Sequence, residues 1–375
     1  MSRALLVLAL ALTACGSARP TAYAQSLAAG DRAKSSGRYD EAATAYGEAA
    51  RAATKSRDRD EGFFLEAATL DQAGRHQEAM AAYDRLIAAS PGGERTERAI
   101  YERAELEIRY GDQAAGWAAL EKAMLAHPSA GSARRALRQI VEHENGKQAN
   151  GGHAWLDAHR AALAPTDLDE DARYLTAKAL EAEGRTAEAR KAYVDCATAH
   201  PYPFGSLNDD SWWNAAALSE KLNDPQGAVD ALHRLLAPRE VATMKQGSYE
   251  RPRYAPAQYH LAEIYRDKLN DPGRARIEFR RVFVVHTTSP LRDDALWNEA
   301  LLSRQANDTQ ATCQVAQLLV RDLPESRYAG CASELCPGQK NSPRAPACRG
   351  YLRTALGLTN PSSDGSTNDT ASDAR

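Results

Sequence analysis

The side chains that could do chemistry are few in this chain of 375 residues, and their spacing does not suit a catalytic site. His143 and Glu144 are not followed by a second histidine at the spacing of a zinc-protease helix. His153 and His159 stand six residues apart, so they are not neighbours on one face of a helix. The sequence has no glycine-rich phosphate loop and no nucleophile elbow. We therefore expect a protein that is not an enzyme, with no catalytic residue, no metal and no cofactor.

A second group of chemically capable residues is a cluster of cysteines near the C-terminal end, at Cys313, Cys331, Cys336 and Cys348. The cluster has no C-x-x-C pair and no histidine nearby, which disfavours a zinc site. In an oxidising compartment the four cysteines would form disulfides, for which three connectivities exist. Cys313 and Cys331 flank Pro324 at similar distances, and antiparallel helices would bring them together. The sequence therefore favours Cys313–Cys331 and Cys336–Cys348.

The first residues indicate the compartment. One positive charge at Arg3 precedes an unbroken apolar run over residues 4–12. This run is shorter than the roughly 20 apolar residues that span a bilayer, and it fits the apolar part of a signal peptide. It ends in Leu-Thr-Ala-Cys, which resembles the lipobox of bacterial lipoproteins, with Cys15 in the position that becomes acylated. The alternative is an ordinary secretory signal that happens to contain Cys15.

The lipoprotein resemblance implies a domain layout for this end of the chain. Residues 1–14 would be the signal peptide, and residues 15–23 a linker anchored through lipid, palmitate included, on Cys15. Two or more acyl chains give stable anchoring, so the membrane would be reached through the N-terminal lipid. Gly16 stands where an aspartate often directs such lipoproteins to the inner membrane. We therefore expect an outer-membrane lipoprotein that faces the periplasm.

A pattern of small and large residues recurs along the rest of the chain. Gly37 leads to Ala42 and Tyr46, and 37 residues later Gly74 leads to Ala79 and Tyr83. Two helices of a hairpin can approach closely only where both lack bulk, and a large apolar side chain one turn further fills the adjoining gap. The units have their turns at residues 37, 74, 111, 148, 184, 223, 270 and 307, with a weak fourth copy at 148.

This arrangement resembles the tetratricopeptide repeat family over residues 24–324. The resemblance implies an all-α fold, a right-handed superhelix (solenoid) of about eight helix hairpins whose first helices line a concave groove. Residues 325–357 would form a helical cap stapled by disulfides, and residues 358–375, rich in polar residues, a disordered tail. Insertions at 201–210 and 238–254 would project from one face, either as binding elements or as tolerated loops.

Aromatic residues recur ten positions before the turn in most units. This aromatic row consists of Phe64, Tyr101, Tyr174, Trp213, Tyr259 (with His260 as the other choice in its unit) and Trp297. In the resembled family this position points into the concave groove, where rings could stack on peptide side chains or sugars. The alternative is that the rings fill the interface between successive hairpins, which a shift of one residue in register would produce.

Composition and resemblance together lead to a function. The net charge of −3 provides no basic field for phosphates, so we expect no nucleic-acid partner. The organisation is similar to periplasmic tetratricopeptide lipoproteins of outer-membrane assembly and of the Tol–Pal machinery. We expect a non-catalytic protein–protein interaction scaffold of the bacterial cell envelope, which binds unidentified envelope proteins through its groove. The alternative is a lipoprotein that binds peptidoglycan or another glycan with the aromatic row.

Overall fold

A computed structural model describes residues 21–237 and 251–358 of the chain. Every regular element in these two ranges is a helix, which confirms the predicted all-α class. None of these helices combines the length and the apolar character of a membrane span. The predicted signal peptide, Cys15, most of the insertion after α12 and almost all of the predicted tail lie outside the described residues.

The chain divides into two compact units, residues 1–172 and residues 173–375. Consecutive helices pair as hairpins in each of them. The helices up to the end of the first unit are α1 (Thr21–Ser35), α2 (Tyr39–Ala52), α3 (Ser56–Gln72), α4 (His76–Ala89), α5 (Glu94–Tyr110), α6 (Gln113–Ala126), α7 (Ala133–Lys147) and α8 (Gly151–Leu163). Those that follow are α9 (Asp169–Ala182), α10 (Thr186–Ala199), α11 (Asn208–Lys221), α12 (Pro225–Leu236), α13 (Tyr254–Asp267), α14 (Pro272–Val285), α15 (Arg292–Gln305) and α16 (Thr309–Asp322). The two described ranges therefore contain the eight hairpins that the repeat predicts.

Six of the eight predicted turn residues adopt the left-handed backbone conformation. They are Gly37 (φ 72°), Gly74 (76°), Gly184 (74°), Asn223 (55°), Asn270 (49°) and Asn307 (57°). In the first hairpin, the N–H of Gly37 donates to the carbonyl of Lys34 and the N–H of Arg38 to the carbonyl of Ala33. This pair of bonds closes a helix C-terminus and needs a residue that tolerates positive φ, which explains glycine and asparagine at the turn.

The other two turns differ from the prediction. In the fourth hairpin the left-handed residue is Asn150 (φ 62°) and not residue 148, because α8 begins only at Gly151. Gly111 has a φ of −126°, so its turn is not left-handed. There the side chain of Asp112 caps α6 instead, and it accepts hydrogen bonds from two backbone N–H groups of the first turn at 2.9 and 3.1 Å.

Close helix contacts occur at the small residues that the repeat marks. A Cβ atom on Gly30 would lie 2.6 Å from Cε1 of Tyr46, and one on Gly116 would lie 2.5 Å from the backbone nitrogen of Ile108. The small residues around the turns and the large side chains beside them are buried in both units. This confirms the prediction that small residues and large apolar side chains meet at the same positions of successive hairpins.

The chain after α16 corrects the predicted disulfide pairing. The bonds are Cys313–Cys336 and Cys331–Cys348, each with Cα atoms 4.7 Å apart, and not Cys313–Cys331 and Cys336–Cys348. The prediction assumed a helix antiparallel to α16 after Pro324. The chain forms instead a 3₁₀ turn (Ala329–Cys331) and the short helices α17 (Ala332–Leu335) and α18 (Gly350–Ala355).

A close backbone approach explains which cysteines meet. A Cβ atom on Gly330 would lie 1.9 Å from the carbonyl oxygen of Pro346, so the returning chain passes directly against the 3₁₀ turn. This contact brings Cys348 to Cys331 and leaves Cys336, just after α17, beside α16. Buried apolar residues of this segment join the core of the last hairpin, among them Leu335, Leu352 and Leu356.

Candidate functional site

Three members of the aromatic row are buried, which corrects the prediction that they line an open groove. Tyr101 is 0% exposed, Phe64 4% and Trp297 5%. The hydroxyl of Tyr101 donates to the backbone carbonyl of His127, 3.0 Å away at the end of α6. Phe64 packs against Tyr83 at 5.7 Å between ring centroids. These rings fill the interior of the array, which is the alternative that the spacing left open.

The other three members, Tyr174, Trp213 and Tyr259, are partly exposed and lie in the second unit. The hydroxyl of Tyr174 accepts a hydrogen bond from Nδ2 of Asn214 at 3.1 Å, and that of Tyr259 accepts one from Nδ2 of Asn298 at 2.8 Å. Each bond joins the first helix of one hairpin to the first helix of the next. These members of the row therefore lie at boundaries between hairpins, and part of each side chain remains exposed.

The two tryptophans of the row in the second unit contact the next element through ring packing. Trp213 packs on His260 with ring centroids 5.9 Å apart, and Trp297 stacks on Tyr328 at 4.8 Å and 16°. Each ring of the row in the second unit thus meets a side chain from the next element along the array. We call this set the aromatic ladder; it comprises Tyr174, Trp213, Tyr259 and Trp297 with their partners Asn214, His260, Asn298 and Tyr328.

Sequence reasoning missed three of these partners, although a signal for them exists. Asn214, His260 and Asn298 each directly follow a member of the row in the sequence. The choice between Tyr259 and His260 is settled by the seventh turn, where the N–H of Asp271 bonds to the carbonyl of Tyr265, one residue further back than in the sister turns. Because that turn has an extra residue, Tyr259 takes the row position and His260 the partner position.

Charged groups frame the ladder. His260 bonds through Nε2 to Glu220 of α11 at 2.6 Å and through Nδ1 to Glu263 at 3.2 Å. These hydrogen bonds, that to Glu263 first, raise the pKa of His260 to about 8 against the opposing effect of burial. Nη1 of Arg266 donates to Oδ1 of Asn298 at 2.5 Å, so this amide is engaged on both of its ends.

The rings of the ladder can contact another molecule. Burial is the first cause that raises the pKa of Tyr259, to about 12, so its phenol stays neutral. In the described ranges no group of three or more His, Cys, Asp or Glu side chains could hold a metal ion. What the ladder offers is partly exposed rings at intervals of one hairpin, held in place by amides, which can pack against an elongated partner.

Ion pairs bridge the first helices of the first unit. Arg95 of α5 pairs with Glu61 of α3, and Arg135 of α7 pairs with Glu105 of α5 at 2.8 Å. Two clefts of about 550 and 460 Å³ lie along these helices. Both have Glu94 and Arg95 in their walls, and charged side chains of both signs make up most of the lining.

Comparison with known proteins identifies one repeat directly. Residues 171–201, which cover most of α9 and all of α10, match the family model of the tetratricopeptide repeat. No curated protein matches the chain.

Several solved structures are similar to the chain at low identity. A tetratricopeptide repeat protein from Parabacteroides merdae is 11% identical, with a TM-score of 0.31 over 74% of this chain and 98% of that one. The C-terminal part of a repeat-containing protein from Cytophaga hutchinsonii is 12% identical, with a TM-score of 0.41 over 71% and 98%. The TPR2AB domain of yeast Sti1, in a complex with pHSP90, is 13% identical, with a TM-score of 0.28 over 79% and 96%.

Proposed function

We propose that this chain, an array of hairpins with a tetratricopeptide repeat at residues 171–201, is a non-catalytic scaffold that binds other proteins. The observation that carries the proposal is the aromatic ladder of the second unit. All of its members except Tyr328 lie on first helices, and they combine partly exposed rings with amide and imidazole groups. Aromatic side chains contribute large contact area at low entropic cost, and interfaces are enriched in them.

We place the binding surface on the side of α9, α11, α13 and α15 that carries the ladder. An elongated segment lying across these helices would meet a comparable set of groups at each hairpin. The row members that remain partly exposed, Tyr174, Trp213 and Tyr259, all belong to the second unit. We therefore assign the partner to the second unit, and not to the whole row that the sequence suggested.

The scaffold is proposed to be anchored in the bacterial cell envelope through lipid on Cys15. The support is the apolar run over residues 4–12 followed by Leu-Thr-Ala-Cys. The two disulfides after α16 agree with an exported protein, since such bonds persist in oxidising compartments. Replacing Cys15 by Ala should move the protein from the membrane fraction to the soluble fraction of lysed cells. Retention of the Cys15→Ala protein in the membrane fraction would contradict the anchor.

Binding through the ladder is tested by crosslinking in cells followed by purification of the full chain. The informative variant is Asn214→Ala with Asn298→Ala, since both side chains are partly exposed and neither fills the core. Envelope proteins recovered with the unchanged chain should be depleted up to about thirtyfold with the double variant, since the two lost bonds that position the rings of Tyr174 and Tyr259 contribute about 1 kcal/mol each. The control is Thr198→Ala on the exposed side of α10. Equal recovery with all three chains would refute the ladder as the binding site.

Glycan binding by the aromatic row is not part of the proposal. Stacking on a sugar needs an open ring face, but Trp297 is stacked on Tyr328 and the guanidinium of Arg253 lies 5.2 Å from the ring centre of Trp213. Saturable quenching of tryptophan fluorescence by peptidoglycan fragments would nevertheless favour that function over the scaffold.

A further inference from the structure

A groove on α14, away from the aromatic ladder, has a composition that its sister helices lack. On the second helices other than α8, the residue seven positions after the turn is exposed, and on α14 it is Ile277, which is 54% exposed. On α8 that position is the buried Trp155. The equivalent residues of the other six helices are small or polar: Thr44, Ala81, Ala118, Lys191, Asp230 and Gln314. Two turns further along the same side, Val284 is 59% exposed. An exposed aliphatic stripe confined to one helix of a repeat array indicates a contact surface rather than a demand of the fold.

The stripe borders a real concavity. A groove of about 460 Å³ is formed by α14 together with Glu299 of α15 and Gln314 of α16. Ile277, Val284 and Val285 supply its aliphatic wall, and arginines supply much of the rest. Two successive hairpins form this concavity, so it can receive the side chains of a protein segment. A lipid surface is flat, so binding to lipid would need side chains that protrude from this chain.

The charge that this surface presents outward is positive. Glu278 and Glu299 pair with Arg281 and Arg280 at 2.7 Å, but their side chains are only 7% exposed. Of the four ion pairs that α14 forms within the described ranges, the guanidinium is the more exposed partner in three, those of Arg274, Arg280 and Arg281. In the fourth, Arg276–Asp308, the carboxylate is the more exposed partner. An arginine carries five N–H donors, and Arg281 spends only Nη1 on Glu278 among the described residues. Donors therefore remain for an incoming carboxylate.

We propose that the groove on α14 binds an acidic amphipathic segment of a partner protein. Aliphatic side chains of that segment would pack between Ile277 and Val284, and its carboxylates would accept hydrogen bonds from Arg281 and Arg274. Charge-assisted bonds between arginine and carboxylate are stronger than neutral ones and orient the segment along the helix. This site goes beyond the scaffold function of the ladder, because it lies on a second helix and selects its partner by charge.

The test uses purified full chain in phosphatidylcholine nanodiscs and two labelled helical peptides of about 15 residues. Both peptides carry leucines at spacings of three and four residues; one carries glutamates beside them and the other lysines. Fluorescence anisotropy should show saturable binding of the acidic peptide. Ile277→Ser with Val284→Ser should weaken it at least about tenfold, the usual effect of removing central anchors. Arg281→Glu should weaken the acidic peptide and strengthen the basic one.

The matched control is Lys191→Ser with Thr198→Ser, which changes the equivalent exposed positions of α10 and should leave binding unchanged. The four positions changed to serine are exposed, so circular dichroism melting should be the same for the unchanged chain and both serine variants. Absence of saturable binding of the acidic peptide, or binding that survives Ile277→Ser with Val284→Ser, would overturn the proposal. It would also be overturned if the chain bound only phosphatidylglycerol vesicles and lost that binding with the same pair of substitutions.

Discussion

The two units share one internal packing scheme but differ in what joins their successive first helices. In the first unit the joints are ion pairs, Arg95–Glu61 and Arg135–Glu105. In the second unit the aromatic ladder, exemplified by Tyr259 with Asn298, is added to ion pairs such as Lys221–Glu181. Ion pairs near the surface contribute little and are screened by salt, whereas ring contacts and amide bonds depend on shape.

The difference separates what the fold requires from what function can vary. The small residues and the large apolar residues beside each turn are under the same constraint in both units, because the two helices of a hairpin can approach closely only where the side chains are small. The side chains two and three positions before the small residue of the first helix are free to differ between the units. In the second unit that freedom is used for partly exposed rings, which is why we assign the binding surface to that unit.

The largest expected effect distinguishes a core ring from a ladder ring. Tyr101→Ala should lower the free energy of unfolding by about 3–5 kcal/mol, because it empties a fully buried site. Tyr259→Ala should cost about 1–2 kcal/mol, because that ring is partly exposed. Hydrogen exchange of α5 and α13 measures both losses. Tyr101→Phe, which removes only the hydroxyl, should cost about 1 kcal/mol. Equal losses for the two alanine variants would contradict the distinction.

The second effect concerns the cap. Cys331→Ser with Cys348→Ser should destabilise α17 and α18 by about 3 kcal/mol, since the bond closes a loop of 17 residues. Faster hydrogen exchange should be confined to the last hairpin and the cap, with α1 to α6 unchanged. Peptide mapping of the unreduced chain checks the pairing itself. Recovery of a Cys313–Cys331 peptide would show that the crossed connectivity is wrong.

The third effect is a pH dependence that belongs to the second unit. The pKa of His260 in the folded protein is raised to about 8 from an ordinary value of 6.5. The stability that the protonated His260 contributes is therefore fully present below about pH 6.5. It is lost as the pH rises through about 8. Allowing for partial exposure, we expect the free energy of unfolding to fall by about 1 kcal/mol between pH 6.5 and 9. His260→Gln should abolish this slope in urea titrations. A slope that persists in that variant would assign it to other groups.

The smallest effect is that of salt on the joints. Raising sodium chloride from 0.05 to 1 M should weaken each ion pair of the first unit by less than about 1 kcal/mol. Exchange at α3 and α5 should therefore quicken slightly. Exchange at α11 and α13 should quicken less, because the ladder remains when their ion pairs, such as Lys221–Glu181, are screened. Similar acceleration in both units would mean that the ladder is held mainly by charge.

The sequence predicts the hairpins well because the turn is a local event. A left-handed residue at Gly37 or Asn223 and a gap beside it depend only on neighbouring residues, so their spacing is visible in the chain. The direction of a ring such as Tyr101 is less visible, since a rotation of one residue about the helix moves it from surface to interior. The neighbouring Asn and His of the ladder could have been recognised as repeating partners.

The disulfide pairing could not be predicted in this way. It depends on the approach of Pro346 to Gly330, which is a contact of the folded cap and leaves no periodic trace. The fourth turn fails for a different reason, because its left-handed residue, Asn150, directly precedes α8 and lies outside the common spacing.

The cap has a consequence for assembly. Any stack of hairpins ends in an apolar side that could accept the starting hairpin of another copy, and repetition of that contact would give a filament. Here Leu335, Leu352 and Leu356 occupy that side of the last hairpin. Two covalent loops that overlap in the sequence hold them there, since Cys331 lies within the loop closed by Cys313–Cys336 and Cys336 within the loop closed by Cys331–Cys348. Head-to-tail polymerisation is thereby blocked at this end of the array.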